Sequence, residues 1–197
     1  MGGHAAALAL LALLAGVPAA GCRTAAGPRH AVAGEHAPRT APDDVEHYAI
    51  ERELDPSTRR VEGRCTARVW ATGRPLGEVA MDLAGLEVKA VSDGGRRSLP
   101  WRHEGETLTV ELAERLPRGD YVELTVDYGG APVRGLWFTD VEEGVPTQVD
   151  TQGQCEDARF WFPCWDSPSD RVTSELRVRM PSHGVATAAG ERVDRVD

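Results

Sequence analysis

The sequence predicts an all-β domain, a saddle-like or sandwich arrangement of antiparallel strands, spanning residues 45–197. Apolar and polar residues alternate from Val45 onward, as they do on half-buried strands. The alternating runs are short, and Gly, Pro, Asp and Ser, which favour turns, close them. No stretch of this region has the apolar spacing of a helix of three turns.

The first two strands carry the clearest alternation. A turn at Asp55-Pro56-Ser57-Thr58 separates them. One face of the first strand carries Tyr48, Ile50, Arg52 and Leu54, and one face of the second carries Val61, Gly63, Cys65, Ala67 and Val69.

Eight further strands are predicted, each bounded by turn residues such as Asp93-Gly94-Gly95. Between them, Glu111 to Leu116 could form one helical turn at most. The eight strands are Glu78 to Leu83, Leu86 to Ser92, Leu99 to His103, Thr107 to Leu112, Tyr121 to Tyr128, Arg134 to Thr139, Thr147 to Gln154 and Ser174 to Met180.

The composition of the 197 residues is that of a soluble globular protein, with 41% apolar and 27% charged residues. The formal net charge of −9 argues against a nucleic-acid partner, because phosphate contacts need a basic surface.

The N-terminus predicts export. Ala5 to Val17 is an apolar run too short to span a membrane, and it ends in small residues, so residues 1–21 are interpreted as a signal peptide. Ala19-Ala20-Gly21-Cys22 resembles a bacterial lipobox, which predicts a lipid on Cys22 and a membrane-anchored protein of the cell envelope. The alternative is cleavage near Ala20 without a lipid, which gives a periplasmic or secreted protein. Residues 22–44 are predicted to be a flexible tether.

The most informative segment is Thr151 to Asp170, TQGQCEDARFWFPCWDSPSD, which combines paired amides, four aromatic residues and two prolines. Its T-Q-x-Q and A-R-x-x-F-P-C-x-D-x-P elements resemble the N-terminal domain of zinc aminopeptidases of the aminopeptidase N type, which include leukotriene hydrolase. The resemblance extends over about Val45 to Gly190. It includes Tyr48 to Gly63, Met81-Asp82-Leu83 with Leu86-Glu87-Val88, Leu124 to Gly130, and Gly135-Leu136-Trp137-Phe138.

Gln152 and Gln154 are the candidate substrate-binding residues. On a strand they would project to the same side, with the bare face of Gly153 between them. The resemblance implies that Gln154 accepts hydrogen bonds from the α-ammonium of a peptide substrate and that Gln152 lines the same pocket. The alternative is that both amides bind neighbouring backbone groups.

No catalytic or metal-binding residue is predicted in this chain. The resembling enzymes bind zinc through a helical H-E-x-x-H-x18-E motif and have a G-x-M-E-N loop, and neither motif occurs here. The nearest approximation, His103-Glu104-Gly105-Glu106-Thr107, is predicted to be a hairpin. The resemblance therefore implies zinc only in a longer enzyme, whose zinc-binding domain would start at about Asp197.

The remaining residues of the informative segment have predicted structural roles. An ion pair or backbone hydrogen bonds should satisfy Arg159 and Asp166, because unpaired charges among aromatic residues are costly. The resemblance makes Cys164 a buried thiol, although a bridge to Cys155 remains possible in an exported protein. The cluster of Phe160, Trp161, Phe162 and Trp165 is either an exposed binding face or, as the resemblance implies, a surface packed on the catalytic domain.

Two other functions remain open at this point. The chain could be a stand-alone β module that binds peptides or partner proteins without catalysis. It could also belong to a noncatalytic scaffold that keeps the fold and has lost the zinc ligands. The preferred hypothesis is the N-terminal domain of an exported zinc aminopeptidase, which shapes the cleft and binds the amine of a peptide substrate.

Overall fold

The computed structural model describes residues 43–143, 145–181 and 184–194, all within one compact unit, Thr40–Asp197. The predicted signal peptide, Cys22 and the tether as far as residue 42 lie outside these residues. The described part contains eleven strands and one short 3-10 helix, Ala158–Phe160. The strands are β1 (Asp43–Asp55), β2 (Arg60–Ala71), β3 (Leu76–Asp82), β4 (Glu87–Asp93), β5 (Arg97–Ser98), β6 (Trp101–Glu104), β7 (Thr107–Leu116), β8 (Tyr121–Gly130), β9 (Leu136–Glu142), β10 (Val145–Thr151) and β11 (Thr173–Arg179).

The strands form three sheets. The largest has six strands in the order β11-β1-β2-β8-β4-β5, and the second has three in the order β3-β7-β6. β9 and β10 form a separate antiparallel hairpin. All pairings are antiparallel except that of β1 with β11, which is parallel. The all-β prediction is confirmed, with this one parallel edge as a departure.

The inner faces of the two larger sheets form one hydrophobic core. The alternation predicted for the first two strands is confirmed: Tyr48 and Ile50 on β1 and Val61, Cys65 and Val69 on β2 are all buried. Residues of the three-stranded sheet, including Val79, Met81, Leu108 and Val110, belong to the same cluster. Burying side chains of this size contributes about 1.5–3 kcal/mol each, so the core is the main source of stability.

Some strand boundaries differ from the prediction. Glu111 to Leu116 is not a helical turn, because it continues β7, whose Glu111 pairs with Glu78 of β3. Arg97–Ser98 forms the short strand β5, which the sequence pattern does not reveal. His103 lies in the predicted hairpin, with Nε2 2.9 Å from the carbonyl oxygen of Leu83.

The aromatic segment packs into the core of its own domain. The ring of Phe162 is 7% exposed and meets that of Tyr48 edge-on, with centroids 5.5 Å apart. The Tyr48 hydroxyl accepts a hydrogen bond from the backbone N–H of Trp165 at 2.7 Å. Trp161 and Trp165 are half-buried against the same core. The prediction of an outward-facing surface is therefore wrong for Phe162, because the six-stranded sheet already buries it.

Among the described residues, none forms a helix long and apolar enough to cross a membrane.

Candidate functional site

Gln152 and Gln154 do not lie on a strand. β10 ends at Thr151, and residues 152–157 form a turn that leads into the 3-10 helix, here called the Gln152–Asp157 loop. The premise that the two amides project to one side as strand neighbours is therefore wrong. The backbone N–H of Gln152 still donates to the Gly135 carbonyl (2.8 Å), in register with the β9–β10 pairing. After it the chain turns, and the backbone N–H of Asp157 donates to the Gly153 carbonyl (3.1 Å).

Both candidate side chains are exposed. Residues 152–155 are all exposed, and neither Gln152 nor Gln154 makes a side-chain hydrogen bond within the described part of the chain. The alternative that the amides bind neighbouring backbone groups therefore finds no support among these residues. A side chain at Gly153 would make only an ordinary contact with Ala158, 3.8 Å away, so nothing in this domain approaches that face closely.

The Asp157 end of the loop is held by Arg134 and lies against Gly135. Arg134 Nη2 lies 2.8 Å from Asp157 Oδ1, and its guanidinium carbon lies 5.2 Å from the Phe160 ring centroid. The Asp157 carboxylate is only 15% exposed, so water screens this ion pair less than a surface pair. Gly135 is buried and has a φ of +70°, and a Cβ there would overlap the Asp157 carbonyl oxygen and approach Trp161 Cδ1 to 2.9 Å. Position 135, directly before β9, therefore requires glycine, because the loop passes close to the backbone there.

The same end of the loop is also held by Arg159, through the adjacent Glu156; the Arg159 side chain is 2% exposed. Its Nε donates to Asp166 Oδ2 (3.0 Å) and to the Glu156 carbonyl (3.1 Å), and its Nη2 donates to Glu156 Oε2 (2.8 Å). Nη1 reaches Glu106 Oε2 in the β6–β7 turn at 3.3 Å. The predicted pairing of Arg159 with Asp166 is confirmed, and its role is to join the loop to two neighbouring segments.

Asp166 itself is tied to β3. Its backbone N–H donates to Asp82 Oδ2 at 3.1 Å, and Asp82 and Cys164 exchange two backbone hydrogen bonds of 2.7 and 3.0 Å. Burial raises the pKa of the Asp166 carboxyl, and the hydrogen bonds from Arg159 oppose that rise. The polar groups of this turn therefore satisfy one another, as buried polar groups must.

The cysteines have separate environments. Cys164 and Cys65 are buried and Cys155 is exposed, and all three are free thiols. The burial predicted for Cys164 and Cys65 is confirmed, and no bridge joins Cys155 to Cys164. Burial also raises the pKa of both core thiols, which keeps them protonated and unreactive.

The sequence pattern did not reveal several of these contacts. It gave no indication that Arg134 holds Asp157, or that Glu106 and Glu156 share the Arg159 guanidinium. The only available signal was the density of charged residues beside the aromatic segment, which shows that pairing must occur but not with which partner.

Comparison with known proteins agrees with this geometry. Residues 44–197 match the Peptidase M1 N-terminal domain family. The chain is 28% identical over 191 residues to an aminopeptidase N from Acetobacter pasteurianus, covering 92% of this chain and 52% of that protein. It thus spans about half the length of that relative.

Solved structures give the same assignment. An M1 zinc metallopeptidase from Deinococcus radiodurans superposes with a TM-score of 0.61 at 26% identity, covering 77% of this chain and 37% of that one. A variant of the Deinococcus enzyme has been solved with a Tyr-Ser-Ala substrate. Yeast LTA4 hydrolase shares the fold, with a TM-score of 0.59 at 20% identity over 71% of this chain and 23% of its own. The chain therefore belongs to the Peptidase M1 N-terminal domain family.

Proposed function

We propose that this chain is the N-terminal domain of an exported zinc aminopeptidase, which removes N-terminal residues from peptides, and that Gln154, assisted by Gln152, binds the α-ammonium of the substrate. The observation that carries the proposal is the Gln152–Asp157 loop, whose two amides are exposed and have no hydrogen-bond partner within the described part of the chain. The loop lies in the segment that matches the family.

The charges around the loop favour the amides as acceptors. The carboxylates of Glu156 and Asp157 are already paired with Arg159 and Arg134. The carbonyl oxygens of Gln152 and Gln154 are not used in this way, and an amide oxygen can accept from an ammonium group. The Gln152 end of the loop is held by its backbone hydrogen bond to Gly135 and the Asp157 end by the two ion pairs. Little backbone entropy would therefore be lost when a substrate binds.

Zinc does not fit the described residues of this chain. No group of three or more His, Cys, Asp or Glu side chains in the described part could hold a metal ion. In the proposed enzyme the zinc ion belongs to a catalytic domain outside this domain, as the zinc metallopeptidase relatives suggest. The role of the present domain is then to shape the cleft and to hold the substrate amine.

The test is Gln154→Ala in the enzyme that contains this domain. Losing a hydrogen bond to a charged group should lower kcat/KM by about 10- to 150-fold, corresponding to about 1.5–3 kcal/mol. Gln154→Glu should retain or improve activity, because a carboxylate accepts from an ammonium more strongly than an amide does. Gln148→Ala is the matched control, since Gln148 is an exposed amide on β10 that pairs with Asp150 instead.

Unchanged kinetics of the Gln154→Ala enzyme, or an equal loss in Gln148→Ala, would contradict the amine-binding role. A binding measurement separates the proposal from a noncatalytic peptide-binding module. The domain is titrated calorimetrically with a peptide and with the same peptide N-acetylated. If the domain recognises the free amine, the two peptides should not bind equally and tightly. Equal, tight binding of both peptides would favour the noncatalytic module.

A further inference from the structure

A buried cation lies on the inner face of the six-stranded sheet, far along the chain from the loop. Arg52 of β1 is only 5% exposed, yet no carboxylate pairs with it in the described part of the chain. Its guanidinium carbon lies 4.0 Å from the centroid of the Trp161 ring, a cation–π contact. An aromatic face supplies no hydrogen-bond acceptor equivalent to an anion, so the contact leaves Nε and Nη2 of Arg52 without an acceptor among the described residues.

Four hydrogen-bonding atoms around Arg52 are buried without a partner among the described residues. They are Nε and Nη2 of Arg52, the hydroxyl of Tyr128 and Nε1 of Trp161. All four can donate a hydrogen bond, and three of them can only donate. Even the Tyr128 hydroxyl, the one atom of the four that can also accept, has no partner among the described residues. Buried polar groups are almost always paired, so this cluster of donors indicates an acceptor from outside the protein.

The sheet register brings these groups together. Arg52 pairs with Gly63 of β2, and Gly63 pairs with Tyr128 of β8, so the three residues form one row across the sheet. Gly63 has no side chain, and the Tyr128 ring lies over it, with Cε2 2.8 Å from the position a Cβ would occupy. The Tyr128 ring therefore extends across Gly63 in the direction of β1. There the Trp161 ring packs on the Arg52 guanidinium.

The Arg52 side chain remains charged at neutral pH. Burial lowers the pKa of its guanidinium to about 10, still well above 7. A buried charge without a counter-charge is costly, so this position stabilises any anion that can reach it.

We propose that Arg52, Tyr128 and Trp161 form a binding site for one small monovalent anion, such as chloride. One guanidinium charge is balanced by one negative charge. The ligand must be small, because Arg52 is 5% exposed and Tyr128 is 1% exposed, which leaves no access for a peptide segment or a bulky divalent anion. The proposal does not depend on the function assigned to the Gln152–Asp157 loop.

The test compares thermal unfolding of the full chain in sodium chloride and in sodium sulfate at matched ionic strength, for wild type and Arg52→Leu. Chloride at ten times its dissociation constant should shift the folding equilibrium about elevenfold and raise the Tm by about 3–6 °C. The rise should saturate with chloride concentration and be absent from Arg52→Leu. Arg97→Leu removes the same charge from the exposed strand β5 and should respond as the wild type does.

Two further measurements locate the anion. Crystals grown with bromide should show an anomalous difference peak beside Arg52 Nη2. Tyr128→Phe, which removes one donor and keeps the charge, should require a higher chloride concentration for the same rise in Tm. An equal chloride response of wild type and Arg52→Leu, or bromide crystals without a peak at Arg52, would overturn the proposal.

Discussion

Gly135→Ala tests whether a close backbone approach holds the Gln152–Asp157 loop in place. The substitution meets two obstacles. The φ of Gly135, +70°, lies in the left-handed region, where a residue with a Cβ loses about 1–2 kcal/mol. The new methyl group would also overlap the Asp157 carbonyl oxygen and lie 2.9 Å from Trp161 Cδ1, and overpacking of this kind costs about 1–3 kcal/mol.

Gly95→Ala separates these two effects. Gly95 has a φ of +77° in the β4–β5 turn, and nothing lies within 4 Å of the position its Cβ would take. It therefore carries the backbone cost without the overlap. The free energy of unfolding should fall further in Gly135→Ala than in Gly95→Ala, by about 1–3 kcal/mol.

Urea unfolding of the chain, followed by circular dichroism, measures this difference. Both variants should keep the wild-type m-value, so that the change in midpoint reports stability alone. Equal losses of stability would refute the reasoning, because they would show that the loop moves away from Gly135 at no cost.

Three further predictions concern the pairing, thiol and export assignments. Arg159→Met should lower the free energy of unfolding by about 3–5 kcal/mol, since it leaves buried carboxylates unpaired, whereas Arg64→Met, which breaks an exposed pair, should cost about 1 kcal/mol or less in the same urea titration. Among the described cysteines, Cys155 should react with a thiol reagent in the native chain, whereas Cys65 and Cys164 should react only on unfolding. Mass spectrometry of labelled peptides measures the reaction, and early labelling of Cys65 or Cys164 would contradict their burial. If the lipobox prediction holds, Cys22→Ser should move the protein from the membrane to the soluble fraction of an expressing bacterium, because the predicted lipid chains would be its anchor; unchanged fractionation would reject the lipobox.

The sequence by itself determined the fold class and the family of this domain. Alternation with a period of two places every second residue on the same face, so the buried set on β2, from Val61 to Val69, follows directly from the residues. The turn at Asp55 is equally local, because its carboxylate accepts hydrogen bonds from Ser57 and Thr58, close neighbours in the chain. Local features of this kind need no knowledge of distant partners.

The ends of the strands could be predicted less well from the sequence. Where β10 ends depends on how far its pairing with β9 extends, and the last backbone hydrogen bond joins Gln152 to Gly135, seventeen positions earlier in the chain. The parallel pairing of β11 with β1 likewise joins Thr173 to His47 across most of the domain. Such pairings are decided by the packing of whole sheets, because many strands have compatible patterns.

Tertiary structure alone decided which charges meet. The sequence shows that Arg159 needs partners, but only the fold brings Glu106 from the β6–β7 turn to its guanidinium. The sequence also places Arg52 on the same face as Tyr48 and Ile50, but only the fold, with its row of Arg52, Gly63 and Tyr128, leaves Nε and Nη2 without an acceptor in the described part of the chain. The reason is physical: side-chain alternation is a property of one strand, whereas the compensation of a buried charge depends on every segment packed around it.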